Sequence, residues 1–329
     1  MSDILLNPGP TNTRFMTKFY QWLGSDKCHR EDNFSCVLKD LQNKLLSKLA
    51  LGVTGRIAIL GGSGTAAMEA MISSLIPNDV LVVKAGKYGI RACSIMDVFG
   101  IKYGVVESST INDLQTLPDV RYVYFVESET STGERYDLDR MCKIYPNAKF
   151  FIDATSSFGA SDYFQNSDRI AALSFCSNKC LQSTPGLGIV IWNNEMDTYR
   201  RSYYGDLTKY HIGMMPFTLP TQSVYALNYT MLKNSNNKRM FDKRRDEIIN
   251  QLNRFGITCV NKHPSNSIIG FQHPKKSYKE LHAFLKRRGM VIYSGIEGIE
   301  NSFRISTMSI KFDKDMKKIV GAFRDSCIY

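Results

Sequence analysis

The chain has 329 residues, 43% of them hydrophobic and 22% charged, and a formal net charge of +11. These proportions suit a soluble globular protein large enough for one sizeable core and a smaller one. No apolar stretch approaches a bilayer span, and the start MSDILLNPGPTNT has no basic leader before a long apolar segment, so neither a membrane helix nor a secretory signal is expected. Eight cysteines form no CxxC pair and no framework spacing. Cys176 and Cys180 are spaced C-x-x-x-C, and Cys28 precedes His29, without a matching ligand set, so reduced cytoplasmic thiols are expected rather than a metal or disulfides. The positive charge raises the possibility of a nucleic-acid partner, but the basic residues are dispersed. Their densest run, residues 236–247, alternates with acids in the manner of a solvated helix face, and a positive field also suits small anionic substrates.

In chain order, Pro8, Gly9 and Pro10 mark the first dozen residues as an irregular arm. Apolar residues at helical spacing, Val37, Leu38, Leu41, Leu45 and Leu49, predict a helix over 34–49. Strand-like and helix-like segments then alternate: strand 56–60, helix 66–75, strand 80–84, helix 90–99, and strands at 101–106, 120–126, 149–152, 171–176 and 188–192. This alternation predicts an α/β fold with a mainly parallel sheet covered on both faces by helices. Past residue 232 the texture changes. A polar stretch at 234–239 leads into a charged helix at 240–255 and strands at 258–260 and 267–272. Ser277 and Glu280 form a capping box, Leu281, Phe284 and Leu285 an apolar stripe, and Gly289 a helix C-terminal glycine. Strands at 291–293 and 303–306 precede a last helix at 313–323. The expected organisation is an arm at 1–15, a large domain at 16–232 and a smaller α+β domain at 233–329.

Two segments carry the chemistry. Asp153 follows the apolar run 149–152 in FFIDATSSFGA, and Lys179 follows 171–176 in LSFCSNKCLQSTPGLG. Ligands in open α/β sheets bind beyond the carboxyl ends of the strands, so both side chains are expected in one crevice. A lysine and an acid delivered there by different strands suit pyridoxal 5′-phosphate, which needs a Schiff-base lysine and a carboxylate at its pyridine nitrogen. Taken alone, Asp153 also suits a turn cap and Lys179 a solvated surface lysine. Gly61-Gly62-Ser63-Gly64-Thr65, between a strand and an apolar helix, suits a phosphate held by a helix N-terminus, or a plain turn. It is neither a Walker loop nor a full dinucleotide fingerprint.

With these residues the chain resembles the class V aminotransferases of fold type I, which use pyridoxal 5′-phosphate, and among them is most similar to the 2-aminoethylphosphonate aminotransferases. The resemblance runs nearly end to end: LLNPGPTNT, CHREDNF at 28–34, GGSGTAAMEA at 61–70, AGKYGIR at 85–91, VESETSTGE at 126–134, IDATSSFGA at 152–160, SNKCLQSTPG at 177–186, FTLPT at 217–221 and FRIS at 303–306. The chain is somewhat shorter than is usual there, with trimming before Val120. The resemblance implies the seven-stranded sheet of that fold, a Schiff base at Lys179 and a pyridine-nitrogen contact at Asp153. It implies a phosphate held by Ser63, Gly64 and Thr65, Tyr88 stacked on the ring, and Thr130 at the ring hydroxyl. Thr218 would reach the phosphate of a neighbouring subunit, hence a homodimer with shared sites, although Met215 stands where the family often has a larger aromatic or basic residue. Arg304 would clamp the substrate's acid group, and Arg30 is a possible second anion contact.

The implied reaction moves an amino group between 2-aminoethylphosphonate/phosphonoacetaldehyde and alanine/pyruvate, with Cys28–His29–Arg30–Glu31 favouring the biosynthetic direction. An alanine- or serine–glyoxylate-type aminotransferase remains open, since Arg304 serves any carboxylate. A cysteine desulfurase needs a nucleophilic cysteine on a mobile loop, for which Cys327 is poorly placed. A non-catalytic anion- or nucleic-acid-binding protein is a more distant alternative.

Overall fold

Alternating apolar side chains explain the central layer. In the computed structural model, which describes residues 3–24, 26, 28–49, 55–107, 119–233 and 237–329, they project from both faces of one sheet into two separate cores. Met1, Ser2 and residues 234–236, parts of the expected arm and of the polar stretch leading into the small domain, lie outside the described residues. The elements run β1 (Ile4–Leu5), α1 (Phe15–Leu23), α2 (Asp32–Leu46), β2 (Gly55–Gly61), α3 (Gly64–Leu75), β3 (Val80–Lys84), α4 (Lys87–Val98) and β4 (Tyr103–Glu107). Next come β5 (Tyr122–Val126), β6 (Ser128–Glu129), β7 (Glu134–Arg135), α5 (Leu138–Ile144), β8 (Lys149–Asp153), β9 (Ile170–Cys176), β10 (Leu187–Asn193) and α6 (Thr221–Lys233). The remainder is α7 (Lys238–Asn253), β11 (Thr258–Cys259), β12 (Ile268–Gln272), α8 (Tyr278–Lys286), β13 (Met290–Val291), β14 (Ser302–Ser306) and α9 (Met316–Ile328).

Seven strands form the large sheet in the order β2-β10-β9-β8-β5-β3-β4. All neighbours pair in parallel except β10, which is antiparallel to both β2 and β9. Ile59, Val83, Phe125, Ile152 and Phe175 point to the face covered by Leu38, Leu41 and Leu45 of α2 and Val224 and Leu227 of α6. Their neighbours Leu60, Val82, Tyr124 and Phe151 point to the opposite face, covered by Met68, Met71 and Ile72 of α3 and Ala92 and Met96 of α4. Burial on both sides is why these strands read as continuous apolar runs.

A three-stranded antiparallel sheet, β11-β12-β14, packs with α7, α8 and α9 around a third core that includes Phe271, Phe303 and Phe323. The Ser277–Glu280 capping box is present, and Gly289 follows α8 with φ of +74°. The arm departs from expectation. Ile4 and Leu5 pair in parallel with Met290 and Val291, and the buried Ile4 and Leu6 join the third core, so a segment read as irregular is a short strand. Helices α1, α5 and α6 lie outside the helical segments expected from the sequence.

Candidate active site

The carboxyl ends of β2, β3, β5, β8 and β9 converge on one pocket, lined by Ser63, Gly64, Thr65, Tyr88, Arg91, Thr130, Asp153, Thr155, Cys176 and Lys179 among others. Asp153 ends β8, between Val126 of β5 and Ser174 of β9. Lys179 follows β9 by three residues, and the Ser63 loop follows β2. Because β10 runs antiparallel beside β2, Gly186 caps the same edge, its carbonyl accepting from the Gly62 N–H at 2.9 Å.

Asp153 is almost fully buried. Its Oδ1 accepts the Thr155 N–H at 2.9 Å, while Oδ2 has no hydrogen-bond partner. Burial pushes its pKa up to about 6, against the Thr155 hydrogen bond and the nearby Lys179 charge. A buried, unpartnered carboxylate oxygen is costly, and a protonated ring nitrogen would satisfy it. The Lys179 Nζ donates to the Pro8 carbonyl, so the arm reaches over the pocket. Gly9 packs flat on that side chain. Its φ of +136° favours glycine, and a Cβ there would meet the lysine Cδ, Cε and Nζ at 3.0 Å.

Ser63 is the N-cap of α3, its hydroxyl accepting from the Ala66 N–H at 3.4 Å. The N-terminus of that helix therefore faces the pocket with the positive end of its dipole. At Gly64 a Cβ would come within 2.8 Å of Thr155 Cγ2, so the helix can sit this close to the Asp153 loop only with glycine. Donors for a phosphate at one end, an orphaned carboxylate at the other and a primary amine beside them fit a phosphorylated pyridine aldehyde.

Tyr88, half-buried, is held by a residue that sequence reasoning missed. Glu129, wholly buried, accepts the Tyr88 and Gly89 N–H groups at 3.1 and 3.3 Å with Oε2, and the Ser131 N–H at 3.0 Å with Oε1. It caps α4 from 41 residues away, a relation no local pattern signals. Arg91, one turn further along, was also not singled out, although it lines the pocket.

Arg304 lies next to the pocket rather than in its lining. It is buried, donating from Nη1 to the Thr130 carbonyl, from Nε to the Ser294 carbonyl at 2.7 Å and from Nη2 to Ser294 Oγ at 3.0 Å. Thr218 and Arg30 are not brought into the Asp153–Lys179 pocket of their own chain. Both are exposed, Arg30 in a shallow cleft with Met214, Met215 and Phe217, and Thr218 beside Gly61 at the entry to the phosphate loop. Burial pushes the Cys176 thiol up to about 11 and the Cys180 thiol up to about 12, so neither cysteine near Lys179 is an activated nucleophile. Among the described residues no group of three or more His, Cys, Asp or Glu could hold a metal ion, and no helix is long and apolar enough to cross a membrane.

The fold is that of the fold type I aminotransferases. An aspartate aminotransferase of subgroup IV from Thermus thermophilus superposes with a TM-score of 0.85 over 99% of both chains at 23% identity. Relatives in sequence narrow the likeness. The chain is 27% identical to the 2-aminoethylphosphonate–pyruvate transaminase of Pseudomonas fluorescens (strain Pf0-1), covering 98% of this chain and 95% of that protein. It is 29% identical, over 96% of its length, to the bifunctional phosphonoacetaldehyde hydrolase/aminoethylphosphonate transaminase of Clostridioides difficile (strain 630), and spans 55% of that longer protein. No protein-family model matches the chain.

Proposed function

We propose that this chain is a pyridoxal 5′-phosphate-dependent aminotransferase exchanging an amino group between 2-aminoethylphosphonate and pyruvate, with phosphonoacetaldehyde and alanine as the other pair. The observation that carries the proposal is the buried, unpartnered Asp153 Oδ2 sharing a pocket with the Lys179 amine and the α3 N-terminus. The full-length similarity to 2-aminoethylphosphonate–pyruvate transaminases supports the substrate pair.

When bound, the cofactor supplies an electron sink for the carbanion at the amine-bearing carbon and stores the amino group between half-reactions. Asp153, ionised, would accept the ring N–H and keep that nitrogen protonated. Lys179 Nζ would hold the aldehyde and, as the primary amine of the pocket, would take up and release the proton of the amine-bearing carbon. Ser63, Gly64 and Thr65 would hold the phosphate, with Tyr88 on the ring and Thr130 at the ring hydroxyl. Arg304 exchanges its bonds to Thr130 and Ser294 for two oxygens of the phosphonate or carboxylate, which its planar fork fits.

The proposal includes a homodimer in which Thr218 completes the partner's phosphate site and Arg30 lies near the partner's substrate. Exposed Phe15, Trp22, Tyr203 and Met214 support such an interface. It also includes a large domain at 16–232, a small domain at 233–329, a cytoplasmic setting consistent with eight free cysteines, and net synthesis of the aminophosphonate. Adding amines singly to the cofactor-loaded protein tests the substrate: 2-aminoethylphosphonate should bleach the visible band and yield alanine once pyruvate is added. Bleaching by serine but not by the aminophosphonate would transfer the assignment to a serine–glyoxylate-type enzyme.

A further inference from the structure

Arg91 is the second cationic side chain lining the pocket, beside Lys179, and the reaction outlined above leaves it without a role. Its Nη1 donates to Thr65 Oγ1 at 3.0 Å, and its guanidinium carbon lies 4.6 Å from the centre of the Tyr88 ring. None of the ion pairs among the described residues involves it. The buried Glu129 carboxylate, which caps the helix that carries Arg91, is taken up by the N–H groups of Tyr88, Gly89 and Ser131. A guanidinium without a carboxylate, hydrogen-bonded to a hydroxyl in the first turn of α3, sits at the anion end of the pocket. Arg304, by contrast, is outside the pocket lining and bonded to the Thr130 carbonyl.

We propose that Arg91 is the counter-charge for the phosphate of the cofactor, held beside the α3 N-terminus by Thr65 and by the face of Tyr88. The assignment rests on the cofactor named above. A phosphate ester carries nearly two negative charges, more than one helix N-terminus offsets. A guanidinium supplies a full, permanent charge with several donors, one of which Thr65 already orients. Because Arg91 also braces Tyr88, its loss could act through ring stacking instead, and the test must separate the two routes.

The full-length protein is titrated with pyridoxal 5′-phosphate and, in parallel, with pyridoxal, which has the same ring and aldehyde but no phosphate. Visible absorption of the lysine adduct is the readout. Arg91→Gln should weaken the phosphorylated compound about tenfold and leave pyridoxal within about twofold of the unaltered protein. Arg91→Lys should recover part of the loss, and added salt should narrow the gap because Arg91 is exposed. Equal weakening of both compounds would overturn the assignment in favour of a bracing role through Tyr88. Unchanged binding of both, with a raised KM for 2-aminoethylphosphonate, would overturn it in favour of a substrate contact. If the unaltered protein forms no lysine adduct with either compound, the cofactor proposal itself falls, and this assignment with it.

Discussion

Asp153 in the seven-stranded sheet and His273, just past β12 of the three-stranded one, are equally buried, each about 1% exposed, yet the chain treats them in opposite ways. His273 has a partner at both ring nitrogens. Its Nδ1 accepts the Lys275 and Lys276 N–H groups at 3.1 and 2.9 Å, and Nε2 lies 3.1 Å from Ser326 Oγ. Asp153 has one oxygen engaged and one left with nothing. A closed set of partners holds a turn in place. An open one stores unfavourable free energy that a suitable ligand can relieve. The contrast separates a polar group that maintains the fold from one that awaits chemistry.

The largest expected effect lies on the open side. Lys179→Ala should lower alanine formation by about 10⁴-fold or more, since nucleophile and proton carrier vanish together. Thermal unfolding of the cofactor-free protein should change far less, because the half-buried Nζ makes one hydrogen bond among the described residues, to the Pro8 carbonyl, besides its charge interaction with Asp153. Substantial residual turnover would assign the proton transfer to another group.

Asp153→Asn should cut turnover by about 10²- to 10⁴-fold and at the same time stabilise the cofactor-free protein near pH 8. The sign follows from the raised pKa. With a folded value near 6 against an ordinary 3.8, the folded chain holds its proton longer, so stability from this group is present below about pH 4 and is lost as pH rises through 6. The asparagine variant escapes that loss, an advantage of roughly 2–3 kcal/mol at pH 8 that fades towards pH 4. Urea midpoints at both pH values check it. A variant no more stable than the parent at pH 8 would mean that the buried carboxylate is not strained.

Arg304→Lys should come next, raising the KM for the aminophosphonate by about 30-fold with a smaller change in kcat, because a lysine keeps the charge but not the two-pronged contact. An unchanged KM would remove Arg304 from the substrate.

The two sides of the comparison are unequally legible in the amino-acid sequence. Asp153 and Lys179 stood out because a polar residue after a fully apolar run is a local signal, and so was the Ser277–Glu280 box, whose partners are three residues apart. The Glu129 cap on α4 and the pairing of β1 with β13 join residues 41 and 286 positions apart, beyond any periodicity or capping pattern. Helix α1 was hidden for another reason: Phe15, Phe19 and Trp22 face outward and only Thr17 is buried, so its apolar residues do not mark an inward stripe. Arg91 is plain in the sequence, but its meaning depends on Thr65 and Tyr88 meeting it in space.

The smallest effect tests the closed side. Burial lowers the pKa of His273 to about 4, with the Lys276 and Lys275 charges acting in the same direction. The unfolded chain therefore takes up a proton below about pH 6.5 that the folded chain refuses, and stability falls as pH drops from there towards 4. The full loss is about 2 kcal/mol after allowance for the neighbouring solvent-facing lysines. His273→Asn keeps an acceptor for the Lys275 and Lys276 N–H groups but cannot take the proton. It should be about 1 kcal/mol less stable than the parent at pH 7.5, having lost the Ser326 contact, and should draw level or ahead by pH 4.5. Chemical denaturation of both proteins at these pH values isolates the histidine, since every other titrating group is common to the two. Parallel stability curves would mean that the imidazole already opens to water in the folded chain, and the contrast with Asp153 would then be one of exposure rather than of partnership.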